Sequence, residues 1–268
     1  MKRVALILAG GAGTRLRPLS SDENPKQFLQ IFEGCSLLQK TFERAKRLTR
    51  SVYISTNAQY AAKCEEQLGK VNILTEPARR NNAPAIALSC SEIEAREGEV
   101  VVVVLPSDHF IGDDDAFVAA IDRACAFAES SDYLVTIAIQ PTEPHTGYGY
   151  LQLDSEIAPG VIRLERFLEK PSRDRAEAFV RAGNYAWNAG IFVWRTSVFR
   201  RELQRVAPEI ASVTRENYEQ MPSISIDYAL MEKAANVAAV RGDFGWSDVG
   251  TFEALARVLN GERASRPQ

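Results

Sequence analysis

The sequence predicts an α/β fold: a Rossmann-like, open and mostly parallel sheet with helices on both faces, plus a small insertion in the second half. Three observations carry this. Short apolar runs alternate with segments whose apolar residues recur at helical spacing, the rhythm of strand–helix–strand units. One run, Val100–Leu105, is apolar throughout, as a strand covered on both faces must be. The first run ends directly in three glycines. With 268 residues, 46% hydrophobic and 25% charged, the chain has the composition of one large globular domain, expected over residues 1–262 with a tail at 263–268.

In chain order, Val4–Leu8, Val52–Ser55, Val71–Thr75, Val100–Leu105 and Leu134–Ile139 read as strands. Between them Ser36–Thr49, Asn57–Leu68, Pro84–Glu97 and Ala116–Glu129 read as helices, with Asn57 as a cap and Gly69 as a stop. Asp113–Asp115 is placed to open the last of these, where carboxylates favour the helix dipole. The second half is less regular. Tyr148–Leu153, Val161–Leu168 and Ala189–Trp194 read as strands of the sheet's far edge and the insertion, with Arg173–Arg181 helical between the second and third. Ile226–Ala235 reads as a helix, Val237–Arg241 as a strand, and a final helix starts at Thr251.

The net charge of −3 argues against a nucleic-acid backbone or an anionic membrane as the main partner. Cys35, Cys64, Cys90 and Cys125 are widely spaced singles and the histidines are His109 and His145, which disfavours zinc and a disulfide framework. Met1-Lys2-Arg3 leads into an apolar run too short for a signal-peptide core or a membrane span, so a cytoplasmic location is expected.

The chemistry begins in Leu8-Ala9-Gly10-Gly11-Ala12-Gly13-Thr14-Arg15-Leu16. Glycines directly after a strand let the backbone turn sharply and bring amide N–H groups to an anion. A dinucleotide fingerprint starting at Gly11 requires a small residue at Leu16, and a Walker loop requires Gly-Lys-Ser/Thr where Gly13-Thr14-Arg15 stands. Both fail. The continuation Arg15-Leu16-Arg17-Pro18-Leu19, then Pro25-Lys26-Gln27-Phe28, brackets the loop with two cations. The whole pattern resembles the signature of the sugar-1-phosphate nucleotidyltransferases. That resemblance implies that Leu8, Ala9, Gly10, Gly11, Gly13 and Thr14 wrap a nucleoside triphosphate whose phosphates Arg15 and Lys26 neutralise.

Further segments extend the resemblance to about residue 255. Glu76-Pro77-Ala78-Arg79-Arg80-Asn81-Asn82-Ala83-Pro84-Ala85 is similar to a segment of the mannose-1-phosphate guanylyltransferase branch, with Asn82 where a Thr is usual. It implies a base pocket at Glu76, Asn81, Ala83 and Pro84; read alone, the segment is a helix entry. Pro106-Ser107-Asp108-His109 places a carboxylate at the end of a buried strand, suited to Mg²⁺. The resemblance assigns Asp108 to the metal and Ser107 to the nucleotide. Gly147-Tyr148-Gly149, Glu169-Lys170-Pro171 and Asn188-Ala189-Gly190 match sugar-side motifs, so Gly147, Tyr148, Gly149, Glu169, Lys170, Asn188 and Gly190 are the implied sugar residues. Gly245-Trp246-Ser247-Asp248-Val249-Gly250 makes Asp248 the second metal carboxylate; by its residues alone Asp248 reads as a helix cap. His145 stands where Glu is frequent and receives no role.

The resemblance implies a fold of the nucleotide-diphospho-sugar transferase type whose insertion serves the sugar. It implies transfer of GMP from GTP to mannose 1-phosphate, giving GDP-mannose and pyrophosphate. Mg²⁺ would be the cofactor, with Arg15, Lys26, Asp108 and Lys170 as the catalytic groups. No nucleic acid or membrane is expected, and a homodimer is open. Family members often continue into a C-terminal β-helical or cupin-like region. The alternatives are UTP or dTTP with glucose 1-phosphate, a non-catalytic nucleotide-sugar-binding regulatory subunit, and a glycosyltransferase with an Asp-x-Asp site at Asp113–Asp115.

Overall fold

The computed structural model describes residues 1–11, 13 and 16–261. The expected tail at 263–268, and the Thr14 and Arg15 assignments, lie outside the described residues. In chain order the elements are β1 (Arg3–Leu8), α1 (Leu37–Leu48), β2 (Val52–Asn57), α2 (Ala58–Leu68), β3 (Asn72–Glu76), α3 (Asn82–Glu97), β4 (Val101–Pro106), α4 (Asp114–Ser130) and β5 (Leu134–Ile139). The second half adds β6 (Tyr150–Ala158), β7 (Val161–Leu168), α5 (Arg173–Ala182), β8 (Tyr185–Arg195), α6 (Thr196–Val206), α7 (Pro208–Ala211), β9 (Val237–Gly242) and α8 (Phe252–Leu259).

All nine strands form one sheet in the order β3-β2-β1-β4-β8-β5-β9-β7-β6. β1 to β4 are mutually parallel, each returning through a helix, as the alternation predicts. Both faces are covered. On β1, Val4 and Leu6 join α3 and α6 in one cluster, while Ala5 and Ile7 join α1 and α4 in the other. β4 splits likewise, Val102 and Val104 against Val101, Val103 and Leu105, all at most 2% exposed. Each such side chain contributes about 1.5–3 kcal/mol of burial, which is why this strand carries no polar alternation.

Helix ends follow their local chemistry. Ser36 forms a reciprocal capping box with Gln39 at the start of α1. Asp113 accepts from the Ala116 N–H at 2.9 Å and caps α4. Asp114 and Asp115 pair with Arg44 and Arg47 of α1, so the acidic run is a helix start tied to its neighbour and not an Asp-x-Asp metal site.

The second half departs from expectation in two places. β6 and β7 do form the far edge, but β8 enters the middle of the sheet, antiparallel to both β4 and β5. An inserted antiparallel strand brings its beginning to the carboxyl end of its parallel neighbour, so Asn188–Gly190 starts beside Pro106–Asp108. The expected helix over Ile226–Ala235 is only a π-helical turn at Asp227–Met231. Between Trp194 and Ile226, where no element is expected from the sequence, α6 packs Val198, Phe199 and Leu203 under the sheet, with the Phe199 ring stacked on Trp194 at 4.6 Å. Among the described residues no helix is long and apolar enough to cross a membrane.

Candidate active site

A cleft of about 450 Å³ opens along the carboxyl ends of β1, β3 and β4 and continues over the start of β8. On one side it is lined by Leu8, Gly10, Gly11, Glu76 and Asn81, and on the other by Gly147, Tyr148, Gly149, Glu169, Lys170, Asn188 and Gly190. Asp108 and Asp248 lie on its wall. Residues expected from seven separate stretches of sequence thus face one space. Ala9, Ser107, Ala83 and Pro84 are buried behind that wall and hold the backbone that forms it.

The loop after β1 is shaped by its carbonyls. The Gln27 amide donates to the carbonyls of Ala9 at 3.1 Å and Gly11 at 2.8 Å. Thr56 donates to Ala9 O at 3.0 Å, Asn57 to Gly10 O at 2.8 Å and Ser20 to Gly13 O at 2.6 Å. Asn57, expected as a helix cap, precedes α2 but makes no side-chain cap; its Nδ2 donates instead to Gly10 O. Gly13 sits at φ +59°, and a Cβ there would lie 2.5 Å from the Lys26 backbone nitrogen. Only glycine lets these two segments touch.

Lys26 is no solvated surface lysine: it is 3% exposed. Its ammonium lies 2.9 Å from Asp108 Oδ2 and donates to the backbone carbonyls of Asp248 and Val249. The loop carrying Asp248 reaches this point because residues 110 and 247 exchange both backbone hydrogen bonds, at 2.9 and 3.0 Å. Asp248 is not a helix cap, since α8 is capped by Thr251, which accepts from Ala254 N–H at 3.1 Å. Its Oδ1 accepts from the Tyr148 hydroxyl at 2.8 Å and the Gly250 N–H at 3.0 Å.

On the far side, Gly149 is pressed against a carboxylate: a Cβ there would lie 2.6 Å from Glu169 Oε2. Lys170 Nζ is 3.0 Å from Glu169 Oε1. Burial pulls the Lys170 pKa down, but the hydrogen bond and charge of Glu169 outweigh it, so the net shift is upward and the ammonium persists. Asn188 is buried; its Oδ1 accepts from Thr136 Oγ1 at 2.7 Å and Gly190 N at 3.2 Å, and its Nδ2 donates to Asp227 Oδ1 at 3.1 Å. Beside the loop after β1, burial pushes the Glu76 carboxyl up to about 7, against the Ser55 and Tyr218 hydroxyls, each at 3.4 Å, and the Arg79 charge.

Several residues in the cleft or bracing its wall were not singled out from the sequence. Trp246 donates to His109 Nδ1 at 3.1 Å and stands edge-on to Tyr148, bracing the sugar side. His145, left without a role, stacks on Tyr148 at 3.8 Å and accepts from Gly147 N–H. Gln27 and Arg79 lie within stretches already quoted as motifs, so position in the motif was the available signal. Asp227 gave none, because the pattern around it reads as an ordinary helix.

With this geometry in place, comparison with known proteins is informative. The family model "Nucleotidyl transferase" matches residues 4–264. The xanthan biosynthesis protein XanB of Xanthomonas campestris pv. campestris is 39% identical over 94% of this chain and 58% of that protein. A mannose-1-phosphate guanylyltransferase of Sinorhizobium fredii is 38% identical over 95% of this chain and 54% of its own length. A crystal structure from Thermus thermophilus, named as a mannose-1-phosphate geranyltransferase, superposes with a TM-score of 0.90 at 36% identity, covering 100% of this chain and 81% of that one. The chain spans 54–60% of the length of the curated relatives it matches. On the sheet, the cleft and a match across nearly its whole length, the chain belongs to the nucleotidyl transferase family.

Proposed function

We propose that this chain transfers GMP from GTP to mannose 1-phosphate, releasing pyrophosphate and forming GDP-mannose. The observation that carries the reading is the seam at Lys26. One buried ammonium joins the carboxylate of Asp108 to the loop of Asp248, between a glycine loop on one side and Glu169, Lys170 and Asn188 on the other. Relatives named mannose-1-phosphate guanylyltransferase, 35–38% identical over at least 94% of this chain, supply the substrate pair.

A sugar phosphate must attack the α-phosphorus in line while pyrophosphate leaves, so two polyanions have to be brought together and oriented. With its carbonyls tied back, the loop at Gly10–Gly11 turns toward the cleft and suits a triphosphate. Glu76, when ionised, accepts from the N–H edge of guanine, beside Asn81. Lys170 orients the attacking phosphate, and Lys26, with Arg15, offsets charge on the leaving pyrophosphate. The phosphate monoester is already ionised at neutral pH, so no general base is needed.

The donor set fits Mg²⁺. Asp108 and Asp248 are hard oxygen donors on one cleft wall. Among the described residues no cluster of three or more His, Cys, Asp or Glu would hold a metal alone, so substrate phosphates would complete the shell. Bound there, the ion would offset negative charge on the reacting phosphates.

Pyrophosphate release with Mg²⁺ across GTP, UTP and dTTP paired with mannose or glucose 1-phosphate tests the reading. Release confined to GTP and mannose 1-phosphate is the expected result. Release with UTP or dTTP and glucose 1-phosphate would overturn the base and sugar assignments. Silence from folded protein that binds GDP-mannose would instead favour a regulatory subunit.

A further inference from the structure

We propose that Asp227 is a sugar-recognition residue: with Glu169 it supplies a pair of carboxylate acceptors for ring hydroxyls of the sugar 1-phosphate, and it fixes Asn188 as a donor. The inference rests on the sugar 1-phosphate reading above and adds a residue to it.

Both ends of the Asn188 amide have partners within the protein. The Gly190 N–H at 3.2 Å and the Asp227 carboxylate at 3.1 Å settle which end of the amide is oxygen, and the Thr136 hydroxyl, 2.7 Å from Oδ1 and 3.1 Å from Ile191 O, lies against the same oxygen. One N–H of Nδ2 goes to Asp227 Oδ1 at 3.1 Å. Asn188 therefore has a single N–H left and no acceptor to offer a ligand. A sugar hydroxyl is a donor as well as an acceptor, and its proton needs an oxygen. The carboxylates of Glu169 and Asp227 are the acceptors on this part of the cleft wall.

A structural role for Asp227 explains less. A carboxylate in a partly buried site carries a larger desolvation cost than an amide, and an amide oxygen would serve Asn188 equally well. Burial, followed by the neighbouring Glu169 charge, raises the Asp227 pKa, so the site holds this carboxyl against its own preference. Two carboxylates stand here against the Lys170 ammonium. That arrangement offers the carboxylates to the hydroxyl edge of the ring and leaves the Lys170 ammonium to its phosphate, which sets the direction of the ring in the cleft.

The placement is also enforced. Asp227 opens a π-helical turn, an irregularity frequent at functional sites. The preceding chain is pinned to the first turn of α3, where Ile226 N–H donates to Asn82 Oδ1 at 2.7 Å and Ala83 N–H to Ile224 O at 3.2 Å. Asn82 thus holds the segment that presents Asp227, linking the base side of the cleft to the sugar side.

The test pairs protein variants with mannose 1-phosphates lacking one ring hydroxyl at a time. For Asp227→Ala, kcat/KM for mannose 1-phosphate is expected to fall about 10- to 100-fold, mostly through KM, with the KM for GTP unchanged. One deoxy analogue that the wild type uses poorly should lose no further activity in the variant, because its missing partner is gone on both sides. Asp227→Asn keeps the shape and carries the same readout if the alanine variant folds poorly. Deoxy penalties identical in wild type and variants, or equal losses for GTP and sugar phosphate, would overturn the assignment alone. A wild-type protein silent with every sugar 1-phosphate would overturn the transfer reading and this assignment with it.

Discussion

The two sides of the cleft are built by different means. The proposed nucleotide side is a backbone device: carbonyls of Ala9, Gly10, Gly11 and Gly13 are held by Gln27, Thr56, Asn57 and Ser20, all within the first 57 residues. The proposed sugar side is a side-chain device, Thr136 to Asn188 to Asp227, with Tyr148 reaching Asp248. The backbone device is assembled from neighbouring strands and one loop, so parallel pairing alone sets most of it. The side-chain device needs partners 39, 52 and 100 residues apart, and the two that involve Asn188 depend on the insertion of β8 between β4 and β5.

The seam between them is where a single change should do most. Asp108→Asn removes the carboxylate from Lys26 and a candidate metal oxygen at once. Turnover should fall by about 10²–10³-fold, the scale of losing one preorganised charge contact. Stability should fall by about 1–3 kcal/mol in denaturant titration, less than for a fully buried pair because a third of the Asp108 side chain is exposed. Adding Lys26→Met should recover neither turnover nor stability, because the carbonyls of Asp248 and Val249 then lose their donor. Wild-type turnover at limiting Mg²⁺ in Asp108→Asn would break the idea that the halves meet at a catalytic seam.

A change confined to the sugar side should separate the halves. Glu169→Ala removes an acceptor whose side chain is only 7% exposed and which pairs with Lys170. The expected outcome is a rise of about tenfold or more in KM for the sugar phosphate, with KM for GTP unmoved. An unchanged sugar-phosphate KM would count against a sugar contact there.

The same contrast explains what the sequence made legible. β1 to β5 and four helices follow from apolar spacing: β1, β2, β4 and β5 are buried on both faces, while the edge strand β3 still shows a short apolar run around Leu74. The glycine loop was legible since its motif is contiguous. The place of β8 was not, because strand order is set by long-range pairing that no local pattern records. Asp227 was hidden for a related reason. Ile226, Ala229, Leu230 and Met231 are buried at near-helical spacing, and the π-turn that tips Asp227 into the cleft arises from the contacts of Asn82 with the chain before it.

Glu76 is the exception on the nucleotide side, a titrating side chain amid main-chain contacts, and it should give the smallest and most specific effect. Its folded pKa of about 7, raised by burial, lies above the ordinary value of 4.5, so the fold favours the neutral acid. That contribution to stability is complete below pH 4.5 and is lost as pH rises through about 7. Wild type should therefore lose thermal stability relative to Glu76→Gln across that window. Binding of the base takes the opposite sign, because a guanine N–H edge needs the ionised carboxylate. KM for GTP should fall about tenfold from pH 6 to pH 8 in wild type, the change in ionised fraction for a group titrating near 7. It should stay flat in Glu76→Gln, while the sugar-phosphate KM shows no difference between the two proteins. A wild-type GTP KM that ignores pH would move base recognition away from Glu76 and onto the backbone around Asn81, making the nucleotide side a main-chain device throughout.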